Sequence, residues 1–453
     1  MKSDYLELVT PLFKEADLKL QKFVQIPSVL DLSTRKSSMP FGNEVDRALQ
    51  YIGYLATQDG FKVDYCDGYA TEISYGSGPV TVGIYAHADV VPATGKWDYE
   101  PFGGEIDNGV MYGRGTSDDK GPGMAAYFAV RALKEAGLIN NFKVVLVFGG
   151  NEENGSQCLD YYFRILKKPA PTYGFTPDAD FPLIYGEKGI SNYLHFGKAD
   201  LGPVKEIDAG TASNLVIDEA TAILELDPSL DEALAKTSYD YEIHHSDVTT
   251  LKFFGKSAHG STPEEGVNAG LQLFAFLGSY YHIEVLSRFA ELYKTPDGKA
   301  LGHFYESKNL GPTTYNVGVI TYKEGRLRMT VNFRYPETIN PREVINQIGE
   351  TSPLKIRLLS TSDTLYYDPK SEFIQTLLRV YQEETGDYET MPKTIGGGTY
   401  AKEAPNTIAF GSAFPGSNTL IHAPNENIEL EHYHRSMAIY AHAIYALGTE
   451  LCD

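Results

Sequence analysis

The chain has 453 residues, more than one hydrophobic core normally organises, so two domains or one domain with a large insert are expected. Apolar residues make up 42% and charged residues 22%, as in ordinary globular proteins, and no segment approaches the roughly 18 uninterrupted apolar residues of a membrane helix. The formal charge of -21 repels phosphate backbones and anionic lipid, which argues against nucleic acid and membranes as partners.

The cysteine content and the N-terminal segment point to the cytoplasm. Cys66, Cys158 and Cys452 lack the spacing of a disulfide framework or of a cysteine-built zinc site. Charged residues interrupt every apolar run of the N-terminal segment, unlike the apolar core of a secretory signal. We therefore expect a soluble protein of the reducing cytoplasm.

The first part of the chain has the pattern of a β-α-β unit. Apolar residues at helical spacing predict a leading helix over residues 3–25. A nearly continuous apolar run predicts a buried strand at 80–91, a helical pattern follows at 121–138, and a second buried strand is predicted at 141–153. This alternation predicts an α/β fold with a mostly parallel mixed sheet flanked by helices, and functional groups at the C-terminal ends of its strands.

The middle of the chain has a different texture, with shorter alternating strands around one apolar helix. It predicts a separate α+β domain inserted over residues 185–360. An amphipathic helix at 371–386, a loop and a terminal helix follow. The expected organisation is one domain formed by residues 1–184 and 361–453, with the insert between its two parts.

Polar residues stand where these strands end. In the sequence HAD, His87 and Asp89 are two apart on an extended strand end and face the same side. Asp89 can therefore accept a hydrogen bond from the ring of His87, which is the support that a metal-bound histidine needs. A lone HxD sequence is a weak signal by itself.

The glycine-rich turn GRGTSDDKG contains Asp118 and Asp119. A tight connection with an aspartate at a helix N-terminus is the structural alternative. The turn lacks the GxxxxGK[ST] spacing of a phosphate loop, and two acids would oppose a triphosphate. A metal that prefers oxygen ligands explains the two aspartates better.

Glu152 and Glu153 follow the second strand, and His422 lies in the loop sequence NTLIHAPNE. Adjacent residues at a strand end point in opposite directions, which suits one glutamate to binding a metal and the other to moving protons. Solvated loop acids are the alternative. Two imidazoles with several carboxylates are typical of two divalent metal ions, zinc or manganese, that activate a water molecule.

Seven segments resemble, in order and approximate spacing, the co-catalytic zinc metallopeptidases, the family of carnosinase, aminoacylase, glutamate carboxypeptidase and bacterial PepV dipeptidases. They are HAD, GRGTSDDKG, NEEN, FTPDADFP, GKSAHGSTPEEG, GGGTY and IHAPNE. The segment FTPDADFP and the long insert are most similar to the PepV type. The resemblance covers nearly the whole chain and implies a dipeptidase that hydrolyses short unblocked peptides.

The resemblance also implies roles for individual residues. It implies five metal ligands, which are His87, Asp118, Glu153, Asp178 and His422. Asp118 rather than Asp119 would bridge the two ions, because the family's bridging aspartate is followed by one residue and then Lys-Gly, and a non-proline cis peptide is implied just after it. Asp180 is the alternative to Asp178. Glu152 is implied as the general base, and Asp89 as the group that orients His87.

In the insert, the resemblance implies that His259 stabilises the tetrahedral oxyanion, a surface histidine being the alternative. Arg334 is a candidate clamp for the substrate's C-terminal carboxylate, because a guanidinium pairs with a carboxylate through two parallel hydrogen bonds. Asn214, Gly397 and Thr399 are expected to add hydrogen bonds to the substrate. The large insert resembles a lid that replaces a partner subunit, so a monomer is expected.

Two other functions stay open from the sequence. An N-acyl amino-acid hydrolase, of the aminoacylase or desuccinylase kind, would use the same centre but require an acylated amine. A non-catalytic homologue would bind peptide without cleaving it. Glu152 argues against the latter, because a pure binding site needs no proton shuttle.

Overall fold

The computed structural model describes residues 4–451, so Cys452 and the first residue of the predicted leading helix lie outside the described residues. The chain divides into two units. Unit 1 contains the chain up to Tyr185, Tyr367–Lys393 and the chain from Thr399 onwards, and unit 2 contains Gly186–Tyr366 and Thr394–Gly398. Each unit has its own hydrophobic core. Between residues 4 and 451, no helix combines the length and apolarity that crossing a membrane requires.

Unit 1 is an α/β structure built on a mixed sheet. The central strand Val80–His87 pairs in parallel with Phe142–Gly149 and with Tyr173–Thr176. Six strands of unit 1 are neighbours in the order Lys62–Asp64, Ala70–Gly76, Phe142–Gly149, Val80–His87, Tyr173–Thr176 and Thr407–Ala409. Ala70–Gly76 pairs antiparallel with both of its neighbours, Lys62–Asp64 and Phe142–Gly149, and the last four strands in this order pair in parallel. The predicted α/β fold with a mostly parallel sheet is confirmed.

The helices of unit 1 cover its mixed sheet. Thirteen residues of Lys120–Glu135 are buried, which explains why this helix is rich in alanine and glycine: small side chains allow close approach to the strands. The α-helices of the unit are Tyr5–Val9, Phe13–Val24, Asn43–Gln58, Lys120–Glu135, Gln157–Asp160, Glu372–Thr385 and Leu430–Thr449. A small sheet joins Glu105–Asp107, Val110–Tyr112 and Asn427–Glu429.

The predicted leading helix is interrupted. It consists of the helix Tyr5–Val9, a 3₁₀ turn at Thr10–Leu12 and the helix Phe13–Val24. Pro11 lies in the turn, and proline can neither donate a backbone hydrogen bond nor sit in a helix interior without displacing the preceding turn. The helical spacing of apolar residues therefore continues through Thr10–Leu12, although the α-helical backbone is interrupted there.

Unit 2 is an eight-stranded antiparallel sheet with helices. Its strands are neighbours in the order Asp240–His245, Val248–Phe254, Glu219–Glu225, Val204–Ala209, Thr314–Lys323, Arg326–Tyr335, Gly189–Lys198 and Lys355–Ser362. Its α-helices are Leu230–Leu234, Ala269–Tyr280, Glu284–Leu292 and Pro341–Thr351. Alternating burial along the strand Val248–Phe254 is the pattern of a sheet with one covered face.

Candidate metal centre and substrate-binding groups

His87 is the last residue of the central strand of unit 1, and its side chain is fully buried. Its Nδ1 lies 2.9 Å from the backbone oxygen of Asp89, and its Nε2 lies 2.9 Å from Oδ1 of Asp118. A carbonyl oxygen only accepts, so Nδ1 carries a hydrogen and Nε2 is the atom directed at the carboxylate. Burial lowers the pKa of His87, but the hydrogen bonds with Asp118 and Asp89 outweigh it and raise the pKa well above the usual range.

Asp118 lies between two imidazoles. Its Oδ1 faces His87, and its Oδ2 lies 2.8 Å from Nε2 of His422. Each carboxylate oxygen thus points at a different histidine. This geometry is suited to a carboxylate that binds two metal ions, one through each oxygen. The peptide bond from Asp118 to Asp119 is cis, as the resemblance implies.

Asp119 is directed elsewhere. Its Oδ2 accepts the backbone N–H of His87 at 3.1 Å, and its Oδ1 has no hydrogen-bond partner among residues 4–451. Of the two adjacent aspartates, Asp118 is therefore the one whose side chain contacts both imidazoles.

The adjacent glutamates follow the strand Phe142–Gly149. Oε1 of Glu153 lies 3.0 Å from Nε2 of His422, whereas the carboxylate of Glu152 groups with His87 and Asp178, with ligand atoms within 4.8 Å of one another. The side chains of the two glutamates thus lie near different partners, as expected for neighbouring residues at a strand end.

Asp89 has a larger part in this arrangement than the sequence indicates. Its carboxylate accepts the backbone N–H of Glu152 at 3.0 Å and of Glu153 at 3.2 Å. The same carboxylate lies 3.6 Å from Nδ1 of His87, so the backbone oxygen of Asp89 is the nearer acceptor for the ring. Asp89 therefore holds the loop that carries both glutamates as well as the adjacent histidine.

The structure places Asp178 and Asp180 differently. Oδ2 of Asp178 lies 3.8 Å from Nε2 of His87. Asp180, two residues on, forms an ion pair of 2.7 Å with Lys393, and about half of each of these two side chains is exposed. Only Asp178 of the two contacts the buried histidine.

The charge of this cluster fits divalent cations. Burial raises the pKa of Asp178, of Glu152 and of Glu153, and neighbouring carboxylates raise it further. Two imidazoles cannot balance the negative charge of the buried Asp118 together with these three half-buried carboxylates. Oxygen and imidazole donors held within 4.8 Å of one another are the ligands that zinc and manganese take.

Glu426 is a residue of this centre that the sequence did not single out. It is fully buried, its carboxylate pairs with the buried Arg114, and it accepts the backbone N–H groups of Gly115, Ser117 and Asp118 at 2.9, 3.1 and 3.2 Å. One carboxylate thus fastens the turn that carries Asp118 to the loop that carries His422. The sequence signal that could have identified Glu426 is its position in the segment IHAPNE, four residues after His422.

In unit 2, Arg334 and His259 are neighbours. Nη2 of Arg334 lies 3.4 Å from Nε2 of His259, and Nδ1 of His259 lies 2.6 Å from Oγ of Ser261. Arg334 is 3% exposed, and burial lowers its pKa to about 10, so it stays charged at neutral pH. A buried, charged guanidinium beside an exposed histidine is suited to binding an anionic group.

The remaining predicted substrate-binding residues occupy three settings. Asn214 is exposed, and its backbone oxygen accepts the N–H of Gly260 at 2.7 Å. Gly397 lies in the short segment of unit 2 that follows Lys393. Thr399 belongs to unit 1, where its hydroxyl accepts the N–H of Ala401 at 3.1 Å and caps a 3₁₀ turn.

A family comparison decides the affiliation of the chain. Residues 83–446 match the model of peptidase family M20/M25/M40. The protein belongs to this family. It is a hydrolase of the M20 type, and the resemblance inferred from the seven segments is confirmed at the level of the family.

Curated relatives of this M20 protein extend over almost all of it. A protein of Staphylococcus saprophyticus subsp. saprophyticus named "Putative dipeptidase SSP1012" is 34% identical over 455 residues, covering 95% of this chain and 96% of the relative. "Putative dipeptidase YtjP" of Bacillus subtilis is 33% identical over 450 residues, covering 94% and 96%. The PepV type within the family stays a prediction.

Solved structures agree in fold. An M20 family metallo-carboxypeptidase from Sulfolobus solfataricus aligns with a TM-score of 0.61 at 19% identity, covering 96% of this chain and 99% of its own. The dipeptidase Dug1p from Saccharomyces cerevisiae gives 0.61 at 17% identity, with 98% of each chain covered. Human carnosine dipeptidase 1 gives 0.57 at 15%, again with 98% of each covered. At such identities the likeness establishes the fold alone.

Proposed function

We propose that this M20 protein is a metal-dependent dipeptidase that hydrolyses short peptides with an unblocked N-terminus. The observation that carries the proposal is the cluster in unit 1, where Asp118 contacts both His87 and His422 and further carboxylates adjoin it. The relatives named as dipeptidases support the substrate class. A cytoplasmic location and a monomeric state stay predictions from the sequence.

Two divalent ions, zinc or manganese, fit the donor set. His87 and Asp178 would hold one ion, Glu153 and His422 the other, and Asp118 both, since its two oxygens face different imidazoles. When bound, the ions supply a water that is deprotonated near neutral pH and an electrophile for the peptide carbonyl.

The residues of the chain supply the proton transfer and the orientation. Glu152 takes a proton from the attacking water at its carboxylate and delivers it to the leaving amine. Asp89 keeps Glu152 in place through its backbone N–H and orients the ring of His87. In unit 2, Arg334 would pair with the C-terminal carboxylate of the peptide, and His259 would stabilise the oxyanion.

The proposal is tested by stripping the purified protein of metal and measuring hydrolysis of an unblocked dipeptide and of its N-acetyl derivative. Activity should vanish on stripping and return with zinc or manganese, for the unblocked peptide only. Hydrolysis restricted to the acetylated substrate would instead identify an N-acyl amino-acid hydrolase. Absence of turnover on a broad dipeptide panel, together with unchanged peptide binding by a Glu152→Ala variant, would identify a non-catalytic binding protein.

The assignment of Asp178 makes a separate prediction. An Asp178→Asn variant should bind metal at least about 100-fold more weakly, because even residues behind the ligands typically contribute about 10- to 100-fold. The matched variant Asp180→Asn loses only a half-exposed ion pair with Lys393, worth about 0–1 kcal/mol, and should keep wild-type affinity. Calorimetric zinc titration of both variants measures this, and an equal loss in both would refute the assignment.

A further inference from the structure

Two asparagines lie beside Arg334 in the antiparallel sheet of unit 2. Asn332 is two residues before Arg334 on the same strand, so both side chains project from the same face. Asn192 on the neighbouring strand is the direct cross-strand partner of Asn332, and Ser360 is the partner of Asn192 on the strand beyond. Side chains directly opposite one another in such a sheet are close enough to interact.

These side chains form a hydrogen-bonded series with a single direction. Nε of Arg334 donates to Oδ1 of Asn332 at 2.9 Å, and Nδ2 of Asn332 donates to Oδ1 of Asn192 at 2.9 Å. Nδ2 of Asn192 then donates to Oγ of Ser360 at 3.1 Å. Because a guanidinium has no acceptor, it fixes which end of the Asn332 amide faces it, and that amide fixes the next one.

The contacts of Arg334 account for three of its donors. Besides Asn332, Nη1 donates to the backbone oxygen of Gly396, and Nη2 faces Nε2 of His259. A guanidinium has five N–H groups, so two remain without a partner among the described residues. Two parallel N–H groups are what a carboxylate accepts in bidentate pairing.

We propose that Asn332 is a positioning residue that fixes the plane of the Arg334 guanidinium, so that the enzyme selects peptides with a free C-terminal carboxylate. The inference rests on the proposed function of Arg334 as the carboxylate clamp. Asn332 is 2% exposed and Arg334 3%, so removing the amide leaves the buried Nε–H without its acceptor and removes one of the three contacts that orient the guanidinium.

The lack of charge on the Asn332 side chain is as important for this role as its position beside Arg334. A carboxylate at residue 332 would also accept from Nε, but its negative charge would compete with the substrate carboxylate for the same guanidinium. Asparagine orients the guanidinium and leaves its charge available. An Asn332→Asp variant keeps the shape of the side chain and the acceptor for Nε, but it adds a charge and loses the Nδ2 donor to Asn192. Asn332→Ala lacks that donor as well, so the difference between the two variants measures the effect of the charge.

The experiment compares kcat/KM for an unblocked dipeptide and for the same dipeptide as its C-terminal amide. In Asn332→Ala, the preference for the free acid should fall roughly tenfold, the scale of one misplaced charge-assisted hydrogen bond. The change should come from a higher KM for the acid, with kcat/KM for the amide unchanged. Asn332→Asp should lose at least as much of the preference.

Asn268→Ala is the matched control. This amide in unit 2 accepts the N–H of Leu271 at 3.0 Å and donates to the backbone oxygen of Val317 at 2.8 Å. Its loss removes the side-chain cap of the helix Ala269–Tyr280, and Asn268 makes no contact with Arg334. Its preference for the free acid should equal that of the wild type.

The outcomes separate this inference from the function on which it rests. Loss of the acid preference in Arg334→Ala but not in either Asn332 variant would overturn only the positioning role. An unchanged preference in Arg334→Ala would overturn the carboxylate clamp itself. Equal losses for acid and amide in Asn332→Ala, or the same shift in Asn268→Ala, would mean that Asn332 is merely structural.

Discussion

A Glu152→Gln variant is expected to lose about 10²- to 10⁴-fold in kcat, the usual contribution of a positioned general base. Glutamine keeps the shape of the side chain but cannot accept a proton from the attacking water. Its backbone N–H still donates to Asp89, so the loop should stay in place. KM and the amount of bound metal should change little, because His422 and the other proposed ligands are untouched. Steady-state kinetics and metal analysis measure this result.

An exposed glutamate of the same unit provides the control. Glu105 lies in the small sheet, is exposed, and is not one of the residues grouped around His87, so Glu105→Gln should retain wild-type kcat. If Glu152→Gln kept more than a tenth of the activity, another group would have to be the base. A parallel loss of bound zinc would instead make Glu152 a ligand.

Glu426→Ala is expected to destabilise unit 1 by about 3–5 kcal/mol, as for the loss of one partner of a buried ion pair. The substitution leaves Arg114 buried without its countercharge. It also removes the acceptor of three backbone N–H groups in the turn that carries Asp118. Calorimetric melting of the metal-free protein should therefore show a lower transition temperature, and zinc affinity should fall as Asp118 loses its support.

Two further variants test the cause. Glu429→Ala, three residues on, removes an exposed glutamate from the same segment and should melt like the wild type. The double variant Arg114→Met/Glu426→Gln removes both charges, and we expect it to recover part of the loss. If Glu426→Ala melted at the same temperature as Glu429→Ala, the carboxylate would not hold the two loops together.

The α/β fold followed from local patterns because its central strands are buried on both faces. Continuous apolarity marks the parallel pair Val80–His87 and Phe142–Gly149, and periodicity marks the helix between them. The break at Thr10–Leu12 was missed, because the apolar spacing runs unchanged through Pro11. The neighbouring strand Ala70–Gly76 was also missed, because its pattern is neither continuous nor strictly alternating.

The site was partly predictable for a similar reason. Polar residues at the ends of apolar strands identified His87, Glu152 and Glu153 as a group, and the structure brings them together in unit 1. Glu426 and Asn332 were not identified. A glutamate in a polar loop and an asparagine in an alternating strand are ordinary by sequence, and only the folded structure shows that they are buried, Glu426 against Arg114 and Asn332 against Arg334 and Asn192.

The distance along the chain between the members of this centre affects when it can form. Arg114 and Glu426 are 312 positions apart, and the segment that ends with Glu426 leads directly into the last helix, Leu430–Thr449. During synthesis, all of unit 2 leaves the ribosome before Glu426 and His422 do. The turn around Asp118 therefore lacks the partner of Arg114 until residue 426 has been synthesised, and a chain that stops before residue 422 would carry only part of the proposed site.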